Sequence, residues 1–518
     1  MTGRPQLLHD LLGAARSHPD RPAVISPDGP VATFAELDRQ SAAVARWLTG
    51  CSAPGDRVAV VADNGLPYAQ LYYGVPRAGR VLVPVNQRLA PAEQRALLAI
   101  SEPRILLGDS RYLEALEDRG ALPPTLTTIG LDTPAWDRVV SGPVGCGPVG
   151  CGPVVQGDDP AWLVFTSGST GQPKGAVHTH RSLIAGVEGT VEGRSVPAGD
   201  VYLFPFPMCH IAGYNVLVRH ATGSTVLLPS RFRPAEFIDA VNEYGVRSCS
   251  LAPTMLHALL AHVESTGERM PSLREIAYGS AAIPADLIRR ATARLGVDFH
   301  QGYGMTETGG NVTFLGPAEH RAGAAGDAAL LRSAGRPHSA VEVGVVDPTG
   351  RRLGPDETGE VVVRGAQVMT GYWRDAGASA AALVDGWLHA GDIGYLGEDG
   401  LLTIVDRSKD VIITGGENVS SREVEDALST HPDVEMAAVV GVPDQYWGEA
   451  VCAVVVPVEG RRPDVETLGR HVREQMSGFK RPRHVLVVER LPMTTNGKIA
   501  KDRVRELARR AVGAEAAG

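Results

Sequence analysis

The chain has 518 residues, 43% of them apolar and 21% charged, and a formal net charge of −9. One hydrophobic core does not grow to that size, so at least two domains are expected. The acidic balance argues against nucleic-acid binding as the main function. No window reaches the ~18 uninterrupted apolar residues of a membrane span. The six cysteines, at positions 51, 146, 151, 209, 249 and 452, include no CxxC pair, so neither a zinc site nor a disulfide framework is indicated. His9 and Asp10 interrupt the amino-terminal apolar residues before a signal-peptide core can form, and a cytoplasmic protein is expected.

Pro5 to Ser17 reads as a helix. Thr33 and Glu36 have the spacing of a capping box that opens a second helix. Arg57 to Ala62, Arg80 to Val85 and Arg104 to Leu107 are continuous apolar runs between helical stretches, the pattern of parallel strands covered on both faces. A tandem Gly-Pro-Val-Gly-Cys repeat, residues 142–151, reads as a surface linker. Trp162 to Phe165 then forms a buried strand that runs into Thr166-Ser167-Gly168-Ser169-Thr170-Gly171-Gln172-Pro173-Lys174-Gly175. Small residues let successive N–H groups turn toward one point, a nest suited to phosphate, with hydroxyl donors and a lysine charge beside it. The Gly-Lys-Ser/Thr ending of a Walker loop is missing.

Strands follow at Val201 to Pro207, Ser224 to Pro229 and Arg247 to Ala252, with helices at Arg233 to Tyr244 and from Pro253 onward. Glu275 to Tyr278 leads into Gly279-Ser280-Ala281-Ala282-Ile283-Pro284, and Val297 to His300 leads into a loop, Gln301-Gly302-Tyr303-Gly304-Met305-Thr306-Glu307-Thr308. Strand–loop–helix units in series make a doubly wound α/β arrangement, whose ligands sit at the carboxyl ends of the strands. From about residue 335 hairpin signals take over: Val341 to Val346 with Glu360 to Val363, and Trp387 to Tyr395 with Leu401 to Val405. A small antiparallel barrel or sheet is expected there. The last hundred or so residues have an α+β pattern, and the domain boundary is placed near Lys409.

Taken in order, these motifs resemble the adenylate-forming (ANL) superfamily, in its acyl-CoA synthetase or acid–CoA ligase branch. The resemblance implies a large N-terminal domain, residues 1–408, of doubly wound α/β sheets plus a small β-barrel. It also implies a small mobile α+β domain, residues 409–518, carrying the catalytic lysine. In that family Thr166 to Gly171 and Lys174 match the phosphate loop. Gly279, Ser280 and Ala281 match a wall of the adenine and acid pocket, and Gln301 to Thr306 complete the nucleotide site. Tyr303 is expected beside adenine, Thr306 at the α-phosphate and Glu307 on Mg2+. Asp392 and Arg407 match the ribose contacts, Lys409 the hinge and Lys498 the catalytic lysine. His210, Ala212, Tyr214, Tyr278, Gly279, Gly304 and Met305 are the implied acid pocket, and Gly415, Gly416 and Glu417 the implied CoA tunnel.

The physical chemistry of these residue types agrees. Magnesium favours a carboxylate together with substrate phosphates, and a carboxylate can accept two hydrogen bonds from a diol. A lysine bridging an attacking carboxylate and a phosphate offsets their repulsion. Two departures from the family pattern stand out: Ala390 where threonine is common, and Ser420-Ser421-Arg422-Glu423 where an aromatic-Pro-x-Glu run is usual. His178 and His180 form His-x-His with no third ligand, and a structural role is expected. For His210 a packed histidine and a substrate-facing one both stand open.

The implied reaction joins ATP–Mg and a carboxylic acid to give acyl-AMP, followed by thioester formation with CoA. A carrier-protein thiol, an amine or nitrite as reaction partner, and a non-catalytic nucleotide-binding relative, are the alternatives. No arginine lies within the pocket motifs, which favours a monocarboxylic acid. A homodimer is compatible with the sequence.

Overall fold

The computed structural model describes residues 4–27, 29–118, 120, 122–142, 154–166, 173–279, 283, 285–327, 329–407, 410–414, 417–444, 446–494 and 498–517. Among these the strands form three sheets, of 14, seven and five strands. No helix among them is long and apolar enough to cross a membrane.

The capping box forms as spaced. Glu36 N donates to Thr33 Oγ1 at 3.2 Å and Thr33 N donates to Glu36 Oε2 at 2.9 Å, which starts the helix Phe34–Cys51. Phe34, Leu37, Val44 and Leu48 are its buried face. Arg57–Val61 lies between Val81–Pro84 and Ile105–Gly108, all three parallel, as continuous apolar runs require. They belong to the seven-stranded sheet, which continues through Pro160–Thr166, Lys174–Thr179 and Gly371–Tyr372. The last two joins are antiparallel, so a hairpin brackets the phosphate-loop motif.

The large sheet contains the parallel strands Thr225–Leu227, Val201–Leu203, Ser248–Ser250, Glu275–Gly279 and Asp298–Met305. Val201–Leu203 stops short of the expected Pro207, because Pro205 and Pro207 have no N–H to give a ladder. A second correction concerns residues 301–305. They are not a loop before a helix but the end of Asp298–Met305, which turns at Thr306–Thr308 and pairs antiparallel with Gly310–Leu315. The glycines permit this close approach: a Cβ on Gly302 would collide with Asn311, and one on Gly304 with the Gly310 carbonyl.

The antiparallel barrel or sheet expected from about residue 335 is present as a sheet. Ser333–Pro337, Leu402–Arg407, Trp387–Leu396, Gly359–Gly365 and Val341–Val346 form an antiparallel run that continues the large sheet. Its outer strand, Val341–Val346, pairs with a strand on one side only among the described residues, so the run does not close by strand pairing. Ala390 packs here with Val361 and Leu402, and its side chain is buried in apolar surroundings.

The C-terminal domain is built on Val434–Asp444 and Gly448–Pro457, with period-2 burial on both faces. Val439, Val451 and Val455 pack against Val424, Leu428, Leu468 and Val472 of the helices Ser421–Ser429 and Val465–Gln475. Val440, Cys452 and Val454 face Val504 and Ala508 of Lys501–Ala517 on the other side.

Candidate active site

Thr166 lies opposite Lys174 in the hairpin, and its hydroxyl donates to the Lys174 carbonyl at 3.4 Å. Ser167, Gly168, Ser169, Thr170 and Gly171 lie outside the described residues, as do Ser280, Ala281, Lys409, Gly415, Gly416, Cys146 and Cys151. Lys174 Nζ stands 5.4 Å from the centroid of the Tyr372 ring. The Tyr372 hydroxyl in turn donates to Glu307 Oε1 at 2.8 Å. Tyr372 reaches this place because Gly371–Tyr372 pairs with the strand that starts at Lys174, setting Tyr372 opposite Ala176.

The turn Thr306–Thr308 is pinned from several directions. His178 Nε2 donates to the Thr306 carbonyl at 2.7 Å, and Met369 N donates to the Glu307 carbonyl at 2.8 Å. Gln367 donates to the Thr308 carbonyl at 2.9 Å and to the Asn311 carbonyl at 3.0 Å, while accepting from His338 at 2.7 Å. Burial lowers His178 to a pKa of about 4, so it acts as a neutral donor. His180 is buried too and its Nδ1 accepts from Leu8 N at 3.0 Å, so His-x-His is structural.

Asp392 and Arg407 face one another on paired strands, with Nε to Oδ1 at 2.8 Å, and Tyr303 donates its hydroxyl to Asp392 Oδ2 at 2.6 Å. The carboxylate is 2% exposed; burial raises its pKa while Arg407 and Tyr303 oppose that rise. The C-terminal domain brings Lys498 into the field of this pair. Burial and the Arg407 charge push the lysine down to about 8, against the pull of Asp392. The charge of Lys498 also reaches His210, whose ring is lowered to about 4 by burial first, then by Lys498 and Arg88. Three cations, Lys174, Arg407 and Lys498, thus share this region with two carboxylates, Asp392 and Glu307. The surplus of positive charge suits a polyphosphate.

Other expected site residues lie elsewhere. Tyr214 is core: it is 2% exposed, its hydroxyl bonds Thr190 at 3.1 Å, and it accepts from Asn311 N at 3.2 Å. Tyr278 is 4% exposed, stacked edge-on to His320 and bonded to it at 2.8 Å, and it donates to Gln301 at 3.2 Å. Those contacts tie both hydroxyls to neighbouring side chains and backbone. Gly279 permits close strand packing, since a Cβ there would fall 2.5 Å from the Gly302 carbonyl oxygen. Met305 packs with Val312 and Val363 beside Tyr303. Ala212 lies with His210 in the segment that opens the turn Ile211–Gly213. Glu417 is exposed on the C-terminal sheet, opposite Thr414. Arg88, from outside the motifs, is near enough to lower both His210 and Cys209.

The C-terminal Lys498 thus feels the charges of the Arg407–Asp392 pair. The model of the AMP-binding enzyme family matches residues 12–373, and that of its C-terminal domain matches residues 423–498.

The chain belongs to the AMP-binding enzyme family.

A feruloyl-CoA synthase of an Amycolatopsis species is 38% identical over 499 residues, which cover 94% of this chain and 98% of that protein. A fatty acid–[acyl-carrier-protein] ligase of Streptomyces coeruleorubidus is 34% identical over 95% of this chain and 94% of its own. Among solved structures, an amide bond synthetase from Marinactinospora thermotolerans superposes with a TM-score of 0.85 at 32% identity, over 96% of this chain and 99% of that one. This AMP-binding enzyme is an AMP-forming acid–thiol ligase.

Proposed function

We propose that this AMP-binding enzyme activates a carboxylic acid with ATP, gives acyl-AMP and pyrophosphate, and then passes the acyl group to CoA. The observation that carries the reading is the buried Asp392, bonded by Arg407 and Tyr303, whose pair with Arg407 acts electrostatically on Lys498 of the C-terminal region. In the first half-reaction an acid carboxylate attacks the α-phosphate and pyrophosphate leaves. Lys174 and the hairpin loop hold the leaving phosphates, and Asp392 with Arg407 fixes the ribose. Tyr303 sits beside adenine, and Lys498 neutralises charge between the two reacting anions.

Among the described residues no group of three metal-ligating side chains occurs. A lone carboxylate, Glu307, held by Tyr372, fits Mg2+, which takes one or two carboxylates and completes its shell with phosphate oxygens and water. Such an ion supplies charge neutralisation on the phosphates.

In the second half-reaction the CoA thiol attacks the acyl-AMP carbonyl and AMP leaves. The domain boundary is set at residues 408 and 409, with Lys409 as pivot. Rotation there withdraws Lys498 and carries the Gly415-Gly416-Glu417 segment toward the site, a closure motion of the kind that often limits turnover. Catalysis in the cytoplasm accords with the soluble substrates.

The experiment is incubation with ATP, Mg2+, CoA and a pooled acid library, read by mass spectrometry. An acyl-CoA formed with matching AMP is expected and names the acid. Acid-dependent AMP and pyrophosphate without a CoA thioester would overturn the CoA step and move the acceptor to a carrier-protein thiol or an amine. No acid-dependent pyrophosphate release would overturn the adenylation reading itself.

A further inference from the structure

The strand Leu402–Arg407 carries two neighbouring charged residues that face different tasks. Arg407 reaches Asp392, as described above. Asp406, 5% exposed, turns toward the C-terminal domain instead. Its Oδ2 accepts from Ser421 N at 2.6 Å and from Ser421 Oγ at 2.8 Å. Two further bonds run alongside: Ser420 Oγ donates to the Val405 carbonyl at 2.7 Å, and an Arg422 nitrogen donates to the Ile404 carbonyl at 3.0 Å.

These bonds cross the proposed pivot. The acceptors, residues 404–406, precede it; the donors open the helix Ser421–Ser429, which follows it. The carboxylate therefore sits at the positive end of a nine-residue helix, where a buried anion is stabilised by the free N–H groups. The Ser420-Ser421 pair, the departure from the usual aromatic-Pro, makes this possible. Proline has no N–H to donate to Asp406, and neither an aromatic ring nor proline has an Oγ.

The chain of contacts then runs to the catalytic lysine. Ser421 Oγ accepts from Lys501 Nζ, and Lys501 also pairs with Glu425 at 3.0 Å. Lys501 opens the final helix and stands three residues after Lys498. Arg505, one turn further on, pairs with Asp410 at 2.8 Å, just beyond the pivot.

We propose that Asp406 is a positioning residue for the adenylation half-reaction. Through Ser421 and Lys501 it latches the C-terminal domain in the orientation that presents Lys498, and it must release for the CoA step. This rests on the two-half-reaction reading above. The latch acts on where Lys498 sits, so it governs the rate of acid activation rather than ATP affinity, and it does not serve thioester formation.

The test uses the full-length enzyme with the acid identified by the library experiment. Ser421→Ala removes the hydroxyl at a helical position where alanine is the best-tolerated residue, and Asp406→Asn removes the charge at nearly constant shape. Acid-dependent ATP–pyrophosphate exchange reads the first half-reaction. CoA thioester formation from supplied acyl-AMP reads the second. For each variant the expected result is an exchange kcat lowered about tenfold, the scale of one hydrogen bond to a charged group. The KM for ATP and the thioester rate should stay within about twofold, so that the loss falls on the step that uses Lys498. Equal loss of both half-reactions, a rise in KM alone, or no change in exchange overturns the latch. The unsubstituted enzyme, run in parallel, separates the two layers: if it performs no exchange, the adenylation reading falls and the latch with it.

Discussion

Two clusters of charge, one at the starts of the parallel strands and one on the antiparallel pair that Tyr303 reaches, are built on opposite plans. At the starts of the strands, Glu275 accepts from Arg194 at 3.2 Å, Arg219 at 3.1 Å and His300 at 3.3 Å. Asp200 beside them takes Arg219, Arg247 and the Ser248 hydroxyl. Burial pushes the Glu275 carboxyl up, but the His300 hydrogen bond and the two guanidiniums outweigh it and hold the group well below the usual range. In the other cluster, Lys498 is pushed down to about 8 because burial and Arg407 outweigh the pull of Asp392. A closed set of partners serves stability, because every charge is met inside the protein. An open set, with cations in excess, leaves charge for a ligand to meet, the mark of a working site.

The largest expected effect is on the closed cluster. Glu275→Gln leaves two guanidiniums facing a neutral amide and should lower the unfolding free energy by about 3–5 kcal/mol, measured by denaturant titration. The exchange rate per folded molecule should be unchanged; a selective loss of exchange with full stability would erase the distinction between the clusters.

Next comes Lys498→Ala, for which ATP–pyrophosphate exchange should fall roughly a hundredfold to a thousandfold, while thioester formation from supplied acyl-AMP and the melting temperature hold. Equal loss of both half-reactions would remove Lys498 from its assigned role. For Asp392→Asn the KM for ATP should rise about tenfold, the scale of a charge-assisted hydrogen bond, read by initial rates across ATP concentrations. An unchanged KM would show that the carboxylate serves the strand pair and Tyr303 alone.

The smallest effect is in the pH profile. The Lys498 pKa is lowered from an ordinary lysine's, so its charge is present below about 8 and fades above it. The kcat/KM for exchange should carry an alkaline limb near that value. A bound polyanion favours the charged form, so the limb of kcat should lie higher. Lys498→Arg, with a guanidinium that stays charged, should lose the limb even where its rate is poor. A limb that persists in the arginine variant would assign it to another group.

Much of this site can be read before folding is considered. The phosphate-loop lysine, Tyr303 to Glu307, Asp392, Arg407 and Lys498 stand in runs whose chemistry is local: small residues, a carboxylate, a terminal lysine turn. Tyr372, Gln367, His178 and Arg88 could not be found that way. Tyr372 meets Glu307 from 65 positions away, and His178 meets Thr306 from 128. A single tyrosine or glutamine carries no sign in sequence of what it will touch. The same limit produced the errors. Tyr214 and Tyr278 lie in pocket motifs, yet the start of the helix Tyr214–Ala221 and the strand Glu275–Gly279 place both phenols in buried surroundings. Gln301 to Met305 has the glycines of a loop, but its partner strand approaches so closely that those glycines serve packing. Arginine was absent from the pocket motifs, and Arg88, whose charge acts on His210, comes from another segment.

The amino-acid sequence alone determined the order of elements, the α/β class, the capped helix at Thr33 and the family whose reaction the chain performs. These follow from side-chain chemistry and from periodicities of 2 and 3.6, which act between near neighbours. Tertiary structure alone decided that the charges of Arg407 and Asp392 act on Lys498, that Tyr372 holds Glu307, and that Asp406 accepts from Ser421. Those pairings depend on strand register and domain orientation, which are set by burial of the whole core, so no local stretch of sequence contains them.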